Sequence, residues 1–508
     1  MDITTVTNFL VDNHEFVDED IEQEIREVLE SPQQEEALKV FFKKNFPDLS
    51  TTSFFVQHFK SESKGSVEII KSFEKTPSKR TIQDFVKHFT VRFKHLEGML
   101  KNRSELQGLS SIARIRSKKE RETVSLIGMV LDVQETKNKH IILTLEDLSG
   151  TIKVLIHNDN KDLLAIAKDI VLDETIGIVG SSGGEIVFAN TIIFPDIPLN
   201  KELRKSPYDH YVVFFGDIHF GSKEFLKKEF QRLLLWLNGK LGSLKQREMA
   251  KKVKYVVIPG DIIEGAGIYP GQENDLSVIS VYKQYELSAL YLKKIPSHIK
   301  IIICAGNHDV GRIAEPQLPL PKEYAKDLWE MENVIMVSNP SVVALDKTED
   351  FPGINVLLYH GYSLVYYADA IPSIREKGGQ KASDEIMKFL LQKRHLAPSH
   401  GSSLYIPDPV EDALLIDPIP DIFVSGHIHR AQTTQYRNIT CIQSSSWTAI
   451  TEDQEKRGLE PQPGRAFCVS LKTREVKLLN FSTIPDTKSV AEYRRLLEEQ
   501  RQKDKVKS

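Results

Sequence analysis

Five short polar clusters, each following an apolar run of four or more residues, constrain the fold of this chain most strongly. From Tyr208 onward the sequence alternates apolar strands with helices, a pattern in which the chemistry gathers at the carboxyl ends of strands. The clusters are, in order, Asp217-Ile218-His219, Gly260-Asp261, Gly306-Asn307-His308-Asp309, His360-Gly361 and Gly426-His427-Ile428-His429. One such cluster is weak evidence, but five at successive strand ends predict a shared site.

The clusters supply carboxylate, amide and imidazole groups that can bind metal ions. Strand alternation would place Asp217 and His219 on one face of a strand, and the same argument applies to His427 and His429. The carboxylate of Asp261 has two oxygens and can bridge two cations. Nitrogen and oxygen ligands without thiolate suit Mn²⁺, Fe or Zn²⁺ better than Ca²⁺. Two ions about 3.5–4 Å apart would form a clamp for phosphoryl displacement.

The order of the five clusters resembles that of the calcineurin-like metallophosphoesterases, over roughly residues 208–485. The resemblance implies two divalent ions as cofactors, with Mn²⁺ expected and Mg²⁺, Fe or Zn²⁺ as alternatives. The first ion would be held by Asp217, His219, Asp261 and His429. The second would be held by Asp261, Asn307, His360 and His427, so Asp261 would bridge the two. The implied catalytic residues are Asp261 and His308, and His308 would face the substrate phosphate.

The sequence around the clusters is similar to the small subunits of archaeal DNA polymerase D. The matching segments are GDIHFGSKEF (216–225), GDIIEGAGIYPGQE (260–273), GHIHRAQ (426–432), TIQDFVKHFTVRF (81–93) and GMVLDVQETKNKHIILTLEDLSG (128–150). This resemblance implies a 3′–5′ proofreading exonuclease for single-stranded or mismatched 3′ ends of DNA. It also implies a large catalytic polymerase subunit as partner, in a heterodimer or higher assembly. Nothing in the sequence resembles a nucleotidyl-transfer site, so synthesis would belong to that partner.

Two other functions stay open at this stage. A catalytically silent scaffold for polymerase assembly is the first, and the complete set of metal ligands argues against it. A free-standing repair phosphoesterase of the same superfamily is the second. The barrel that precedes the phosphoesterase argues against this alternative, because double-strand-break repair nucleases usually begin with their phosphoesterase domain.

The hydrophobic pattern divides the chain into five segments. Spaced apolar residues predict a helical docking module at 1–45, and Ser, Thr and Lys predict a flexible linker at 46–118, with an amphipathic helix and a basic strip inside it. Short strands with one helix before the last hairpin predict an OB-fold at 119–200. The fold class is α/β: an N-terminal helical module, an OB-fold β-barrel and a calcineurin-like α/β metallophosphoesterase sandwich at 206–485. A charged, solvated C-terminal helix follows at 486–508.

The basic strip predicts a contact with DNA. Residues 101–121 contain seven basic side chains against two acidic ones. Binding to DNA phosphates is one interpretation, and a solvated linker face is the other. The candidate substrate-binding residues are Arg114, Arg116, Lys118, Lys119 and, beyond the strip, Arg430.

A short N-terminal element has the spacing of a sliding-clamp-binding box. Leu38, Phe41 and Phe42 occupy its apolar positions, and Glu35 stands where such a box has Gln. The alternative is an ordinary amphipathic helix.

Composition narrows the class of protein. The net charge of −4 excludes a generally basic nucleic-acid coat, so any DNA contact must use a local patch. The three cysteines form no CxxC pair, which argues against a disulfide framework and a thiolate zinc site. The first residues have no basic start with an apolar core, and no apolar run approaches about 18 residues. We therefore expect a cytoplasmic protein with no membrane partner.

Overall fold

The computed structural model describes residues 3–13, 15, 17–31, 34–47, 49, 66–74, 78–118, 120–450, 454, 459–485 and 490–507. The helices are α1 (Ile3–Asp12), α2 (Glu19–Leu29), α3 (Gln34–Asn45), α4 (Ile82–Lys101), α5 (Ile112–Arg116), α6 (Lys161–Lys168), α7 (Lys227–Leu237), α8 (Leu244–Lys251), α9 (Val281–Leu292), α10 (Lys326–Trp329), α11 (Leu364–Ala370), α12 (Pro372–Glu376), α13 (Ser383–Lys393) and α14 (Val490–Lys507). Short 3₁₀ turns lie at Gln272–Asn274 and Gly379–Ala382.

The strands are β1 (Ser66–Lys71), β2 (Thr123–Glu135), β3 (Ile141–Asp147), β4 (Gly150–Ile156), β5 (Thr175–Ser182), β6 (Ile186–Ile193), β7 (Tyr211–Phe214), β8 (Val253–Pro259), β9 (Lys300–Cys304), β10 (Val334–Met336), β11 (Ser341–Lys347), β12 (Ile354–Tyr359), β13 (Ile422–Ser425), β14 (Gln432–Tyr436), β15 (Ile439–Gln443), β16 (Arg465–Ser470) and β17 (Val476–Asn480). The chain forms two compact units: Met1–Ser66 with Asp346–Phe351, and Val67–Leu345 with Pro352–Ser508. Within the described residues, no helix has the length and apolar character that a membrane span requires.

The first three helices have a small core of their own. The Asp18 carboxylate accepts the backbone N–H of Ile21 at 2.9 Å and so caps the start of α2. Leu38, Phe41 and Phe42 are 0%, 2% and 2% exposed within this core. The structure therefore contradicts the sliding-clamp interpretation, because a clamp-binding box needs these side chains at the surface. Their spacing reflects an ordinary amphipathic helix.

Strands β2 to β6 close into a barrel in the order β2-β3-β4-β6-β5, and α6 connects β4 to β5. Alternate side chains point inward along each strand: Ile141, Leu143 and Leu145 on β3 are buried. These apolar side chains fill the barrel interior. The predicted OB-fold is confirmed.

Two six-stranded sheets carry the five polar clusters. One sheet has the order β10-β9-β8-β7-β16-β17 and the other the order β1-β11-β12-β13-β15-β14. Strands β7, β8 and β9 are parallel neighbours in the first sheet, and β12 and β13 are parallel neighbours in the second. Each of these five strands is directly followed by one cluster, so the predicted α/β architecture is confirmed.

Part of the predicted linker is an ordered strand. Residues 66–71 form β1, which occupies the edge of the second sheet beside β11. The side chains of β1 are exposed or half-buried. An edge strand of this kind is held mainly by backbone pairing, which leaves little hydrophobic pattern in the sequence.

The barrel and the phosphoesterase share one packed interface. Helix α4 packs Phe93 and Leu100 against the barrel. On another face, its buried Arg92 donates from Nε to Asp412 Oδ2 at 2.6 Å. A second buried ion pair joins Lys393 Nζ on α13 to Glu174 Oε2 beside the barrel, at 2.6 Å with both side chains 2% exposed.

We predict that breaking the Glu174–Lys393 pair from one side destabilises this interface. Burial raises the pKa of Glu174 and lowers that of Lys393, so burial disfavours the charged form of each. Lys393→Met should lower the free energy of unfolding by about 3–5 kcal/mol, because it leaves a buried carboxylate without its partner. Adding Glu174→Leu should recover most of that loss.

Denaturant unfolding measures both changes. Lys326→Met is the matched control, since Lys326 forms an exposed pair with Glu330, and it should cost less than about 1 kcal/mol. Equal effects of Lys326→Met and Lys393→Met would contradict the prediction.

Candidate metal centre

The predicted ligands lie in loops just after the strands. Five of them have left-handed backbone conformations, with φ between 50° and 73°: Asp217, His219, Asp261, His427 and His429. The prediction that Asp217 and His219 share one face of a strand is therefore wrong, and so is the same prediction for His427 and His429. These residues lie beyond the last paired residue of each strand. Non-glycine residues in this conformation cost about 1–3 kcal/mol each and are concentrated at functional sites.

The carboxylate of Asp261 is the centre of the site. It is 1% exposed, and its Oδ1 accepts the backbone N–H of His308 at 2.8 Å. Its Oδ2 lies 3.4 Å from His360 Nε2 and 3.8 Å from His219 Nε2. One carboxylate therefore faces ligands that follow strands of both sheets.

Two groups of ligands meet at Asp261. In one, His219 Nε2 lies 3.2 Å from His429 Nε2, and His429 Nε2 lies 3.6 Å from Asp217 Oδ1. In the other, the donor atoms of Asp261, His360 and His427 lie within 4.8 Å of one another.

Two further residues stand beside these groups. Asn307 Oδ1 lies 2.8 Å from His360 Nε2. His308 also lies within 4.8 Å of His219 and Asp261. The structure thus brings all seven predicted ligands together with His308.

The electrostatics of the pocket favour bound cations. Burial raises the pKa of Asp217 to about 7. Burial opposes positive charge on His219 and His360, but neighbouring carboxylates outweigh it and raise their pKa values to about 9 and about 10. Burial and the neighbouring histidines lower the pKa of His427 to about 3 and also lower that of His429, so both rings are held neutral, the form that binds a metal. The candidate groups among the described residues offer nitrogen and oxygen donors, which fits divalent cations.

Glu264 is a functional residue that the sequence analysis missed. Its Oε2 lies 3.0 Å from His219 Nδ1, and its backbone carbonyl accepts from His308 Nδ1 at 2.8 Å. The Pro259 carbonyl likewise accepts from His360 Nδ1 at 2.8 Å. Such partners fix the tautomer and orientation of a ligand histidine. Glu264 lies inside the GDIIEGAG segment, but its role depends on contacts that the spacing does not show.

The loop after β9 approaches Asp261 closely. A Cβ at Gly306 would collide with the Asp261 carboxylate and backbone nitrogen, so only glycine fits there. The buried Asp309 carboxylate accepts the backbone N–H of Gly306 at 2.9 Å and the hydroxyl of Tyr285 at 3.2 Å. Asp309 therefore fixes the loop that carries Asn307 and His308.

Four of the seven predicted ligands line a cleft of about 870 Å³: His219, Asp261, His427 and His429. His308 stands at its edge and is partly exposed. Because Nδ1 of His308 is bonded to the Glu264 carbonyl, Nε2 is the ring atom left for a substrate. The cleft is also lined by residues of the loop after β8 and of α14.

The predicted DNA-binding residues lie elsewhere in the structure. Arg116 pairs with Glu185 at 2.9 Å and Lys118 with Glu122 at 2.5 Å, both beside the barrel. Arg430 lies 3.4 Å from Glu460. Arg114 is exposed on α5, and Lys119 lies outside the described residues. None of the four described residues lines the cleft, so DNA binding by this set remains a prediction.

Comparison with known proteins supports both predicted domains. A family model described as calcineurin-like phosphoesterase matches residues 210–431, and one described as OB-fold nucleic acid binding domain matches residues 124–183. The DNA polymerase II small subunit of Methanothermobacter thermautotrophicus is 40% identical, over 79% of this chain and 80% of the relative. The protein of that name from Archaeoglobus fulgidus is 39% identical, over 78% of each chain. The one from Pyrococcus furiosus is 35% identical, over 79% of this chain and 64% of the relative.

We predict that Asp261→Ala abolishes binding of both expected ions, because each ion would lose a shared ligand. His427→Ala should lose only one, because His427 belongs to a single group of ligands. Metal analysis after loading with Mn²⁺ and desalting measures the stoichiometry. Asp275→Ala is the control: Asp275 lines the same cleft but belongs to neither group. Two ions retained by Asp261→Ala would refute the shared ligand.

Proposed function

This chain belongs to the family of archaeal DNA polymerase II small subunits, and from that premise we propose that it is a metal-dependent 3′–5′ DNA exonuclease. The observation that carries the proposal is the cluster of seven nitrogen and oxygen ligands that includes and surrounds the buried carboxylate of Asp261. In the proposed complex, a large catalytic subunit synthesises DNA and this chain removes nucleotides from the 3′ end.

The complete site argues for activity over a purely structural role. A scaffold needs no buried carboxylates surrounded by imidazoles, because such a cluster is costly to bury and adds no packing. Five left-handed ligand residues add to that cost. A site that keeps every ligand under these conditions supports catalysis.

Two divalent ions bound here would supply activation of water and stabilisation of charge on the phosphoryl group. The chain itself would hold and orient those ions. Glu264 and the Pro259 carbonyl fix the rings of His219 and His360, so that Nε2 of each would be the atom that holds an ion. The Asp217 carboxylate accepts the backbone N–H of His427 at 2.8 Å and so joins the two ligand loops.

His308 is the proposed partner of the leaving group. Hydrolysis at a 3′ end breaks the bond between phosphorus and the 3′-oxygen of the remaining strand, and that oxygen then needs a proton. Nδ1 of His308 is held by the Glu264 carbonyl, which leaves Nε2 to donate the proton or to orient the oxygen. The backbone N–H of His308 binds Asp261, which ties the ring position to the metal site.

We predict that His308→Ala slows removal of the 3′ nucleotide by roughly 10²–10⁴-fold, the usual contribution of one acid–base group. Bound metal should be unchanged, because His308 is not among the seven expected ligands. The measurement is hydrolysis of a labelled primer with a mismatched 3′ end, with Mn²⁺ present. His157→Ala, an exposed histidine on the barrel side of the chain, should retain the full rate.

The hydrolysis rate and the amount of bound metal together distinguish the possible roles of His308, and they also distinguish an active chain from a scaffold. A near-normal rate would exclude His308 from catalysis, and loss of metal would make it a ligand. No hydrolysis by the unchanged chain, alone or with its large subunit, would favour the scaffold. Copurification with a polymerase subunit would separate the proposed function from a free-standing repair enzyme.

A further inference from the structure

Helix α14 packs through an apolar face onto the rim of the cleft. Tyr493 is 6% exposed and contacts a cluster that contains Leu226 and Ile450. Leu496 and Leu497 pack against the same cluster. A fully solvated helix was predicted here; this is wrong for the face that carries Tyr493, Leu496 and Leu497, which packs against the protein.

A second face of α14 lines the cleft that contains the metal ligands. Arg494, Glu498 and Arg501 have the i, i+4, i+7 spacing that places side chains along one side of a helix. They line the same cleft as His219 and His308. The helix therefore forms a wall of the candidate active site.

An ion pair lies at the far end of this wall. Arg501 Nη2 lies 2.7 Å from Glu224 Oε2 in the loop after β7. Glu224 itself lines the cleft. The two side chains are 45% and 34% exposed, so the pair adds little to the docking of the helix. Its effect is on charge: an unpaired carboxylate there would repel a phosphodiester strand, and the pairing with Arg501 reduces that repulsion.

We infer that α14 restricts the cleft to a single unpaired DNA strand and thereby sets the preference for frayed or mismatched 3′ ends. This inference rests on the proposed exonuclease function for its substrate. With α14 in place the cleft measures about 870 Å³, within the range of roughly 300–1,000 Å³ that proteins use for one small ligand. Under the inference, such a space would accommodate the end of one strand but not a duplex.

A cleft of this kind would select mismatched over paired 3′ ends without recognising the bases themselves. A paired terminus must open before it can enter, and each opened base pair slows the reaction by about tenfold. A mismatched terminus is already open and avoids that loss. Displacing the wall should therefore accelerate removal of paired ends more than removal of mismatched ones.

Two variants of the full chain displace α14. Tyr493→Asp puts a charge into the apolar contact with Leu226 and Ile450. The double variant Leu497→Asp, Arg501→Glu changes only partly buried or exposed positions and places like charges beside Glu224, so it tests the inference if Tyr493→Asp fails to fold. Arg495→Glu is the matched control: Arg495 is 61% exposed on the same helix and pairs with Glu499.

The first readout is the ratio of hydrolysis rates for primers with mismatched and paired 3′ ends. We expect either α14 variant to lower this ratio by about tenfold for each base pair that no longer has to open. Arg495→Glu should leave it unchanged. A ratio in a folded α14 variant equal to that of Arg495→Glu would overturn the inference.

The second readout does not depend on catalysis. Fluorescence anisotropy in EDTA compares the affinities for a single-stranded oligonucleotide and for its blunt duplex. The unchanged chain should prefer the single strand, and the α14 variants should lose that preference; equal preference in all of them would overturn the inference. If the chain prefers single strands through α14 but hydrolyses neither primer, the proposed exonuclease fails while the role of α14 stands.

Discussion

The buried carboxylate of Asp261 lies 3.4 Å from His360 Nε2 and 3.8 Å from His219 Nε2, and it accepts the backbone N–H of His308. A charge at 1% exposure is stable only if its surroundings compensate for lost hydration. Here His219 and His308 follow strands of one sheet, and His360 follows a strand of the other. Both sheets must therefore bring their carboxyl ends together at one point. Burial alone would raise the pKa of the Asp261 carboxyl, but His360, His308 and His219 hold it well below its usual range.

The same constraint explains the strained loops around the site. Five ligands adopt left-handed conformations, and at Gly306 there is no space even for a Cβ beside Asp261. The surrounding structure has to supply that energy. Part of it comes from Asp309, which accepts three backbone N–H groups, from Gly306, Ile262 and Ile263, and so holds two ligand loops at once. Burial raises the pKa of Asp309 to about 6, which shows how far this carboxyl has been removed from water.

Features with a local pattern were predictable from the sequence. Apolar runs marked β7, β8 and β9, and the polar clusters after them predicted the candidate ligands that the structure brings together, because the ends of parallel strands meet at one edge of a sheet. The resemblance to small subunits of archaeal DNA polymerases was confirmed by relatives named DNA polymerase II small subunit.

Contacts between residues distant in the sequence were not predictable. The role of Glu264 toward His219, the pair between Glu174 and Lys393, and the docking of α14 each depend on tertiary placement. The clamp-binding interpretation failed for a related reason, since its spacing is also that of a helix packing into a core.

The arrangement suggests how a polymerase subunit can act on errors without reading bases. The four bases differ at their edges, but every mismatch shares one physical property, which is that its end opens more readily than a paired one. A narrow cleft converts that difference in opening into a difference in rate. For this to work the cleft walls must not yield, because a wall that moved aside would admit paired ends as well. The buried pairs Arg92–Asp412 and Glu174–Lys393 join the barrel, α4 and the phosphoesterase into one packed unit. A rigid framework would therefore support the selectivity of the proposed enzyme as well as its stability.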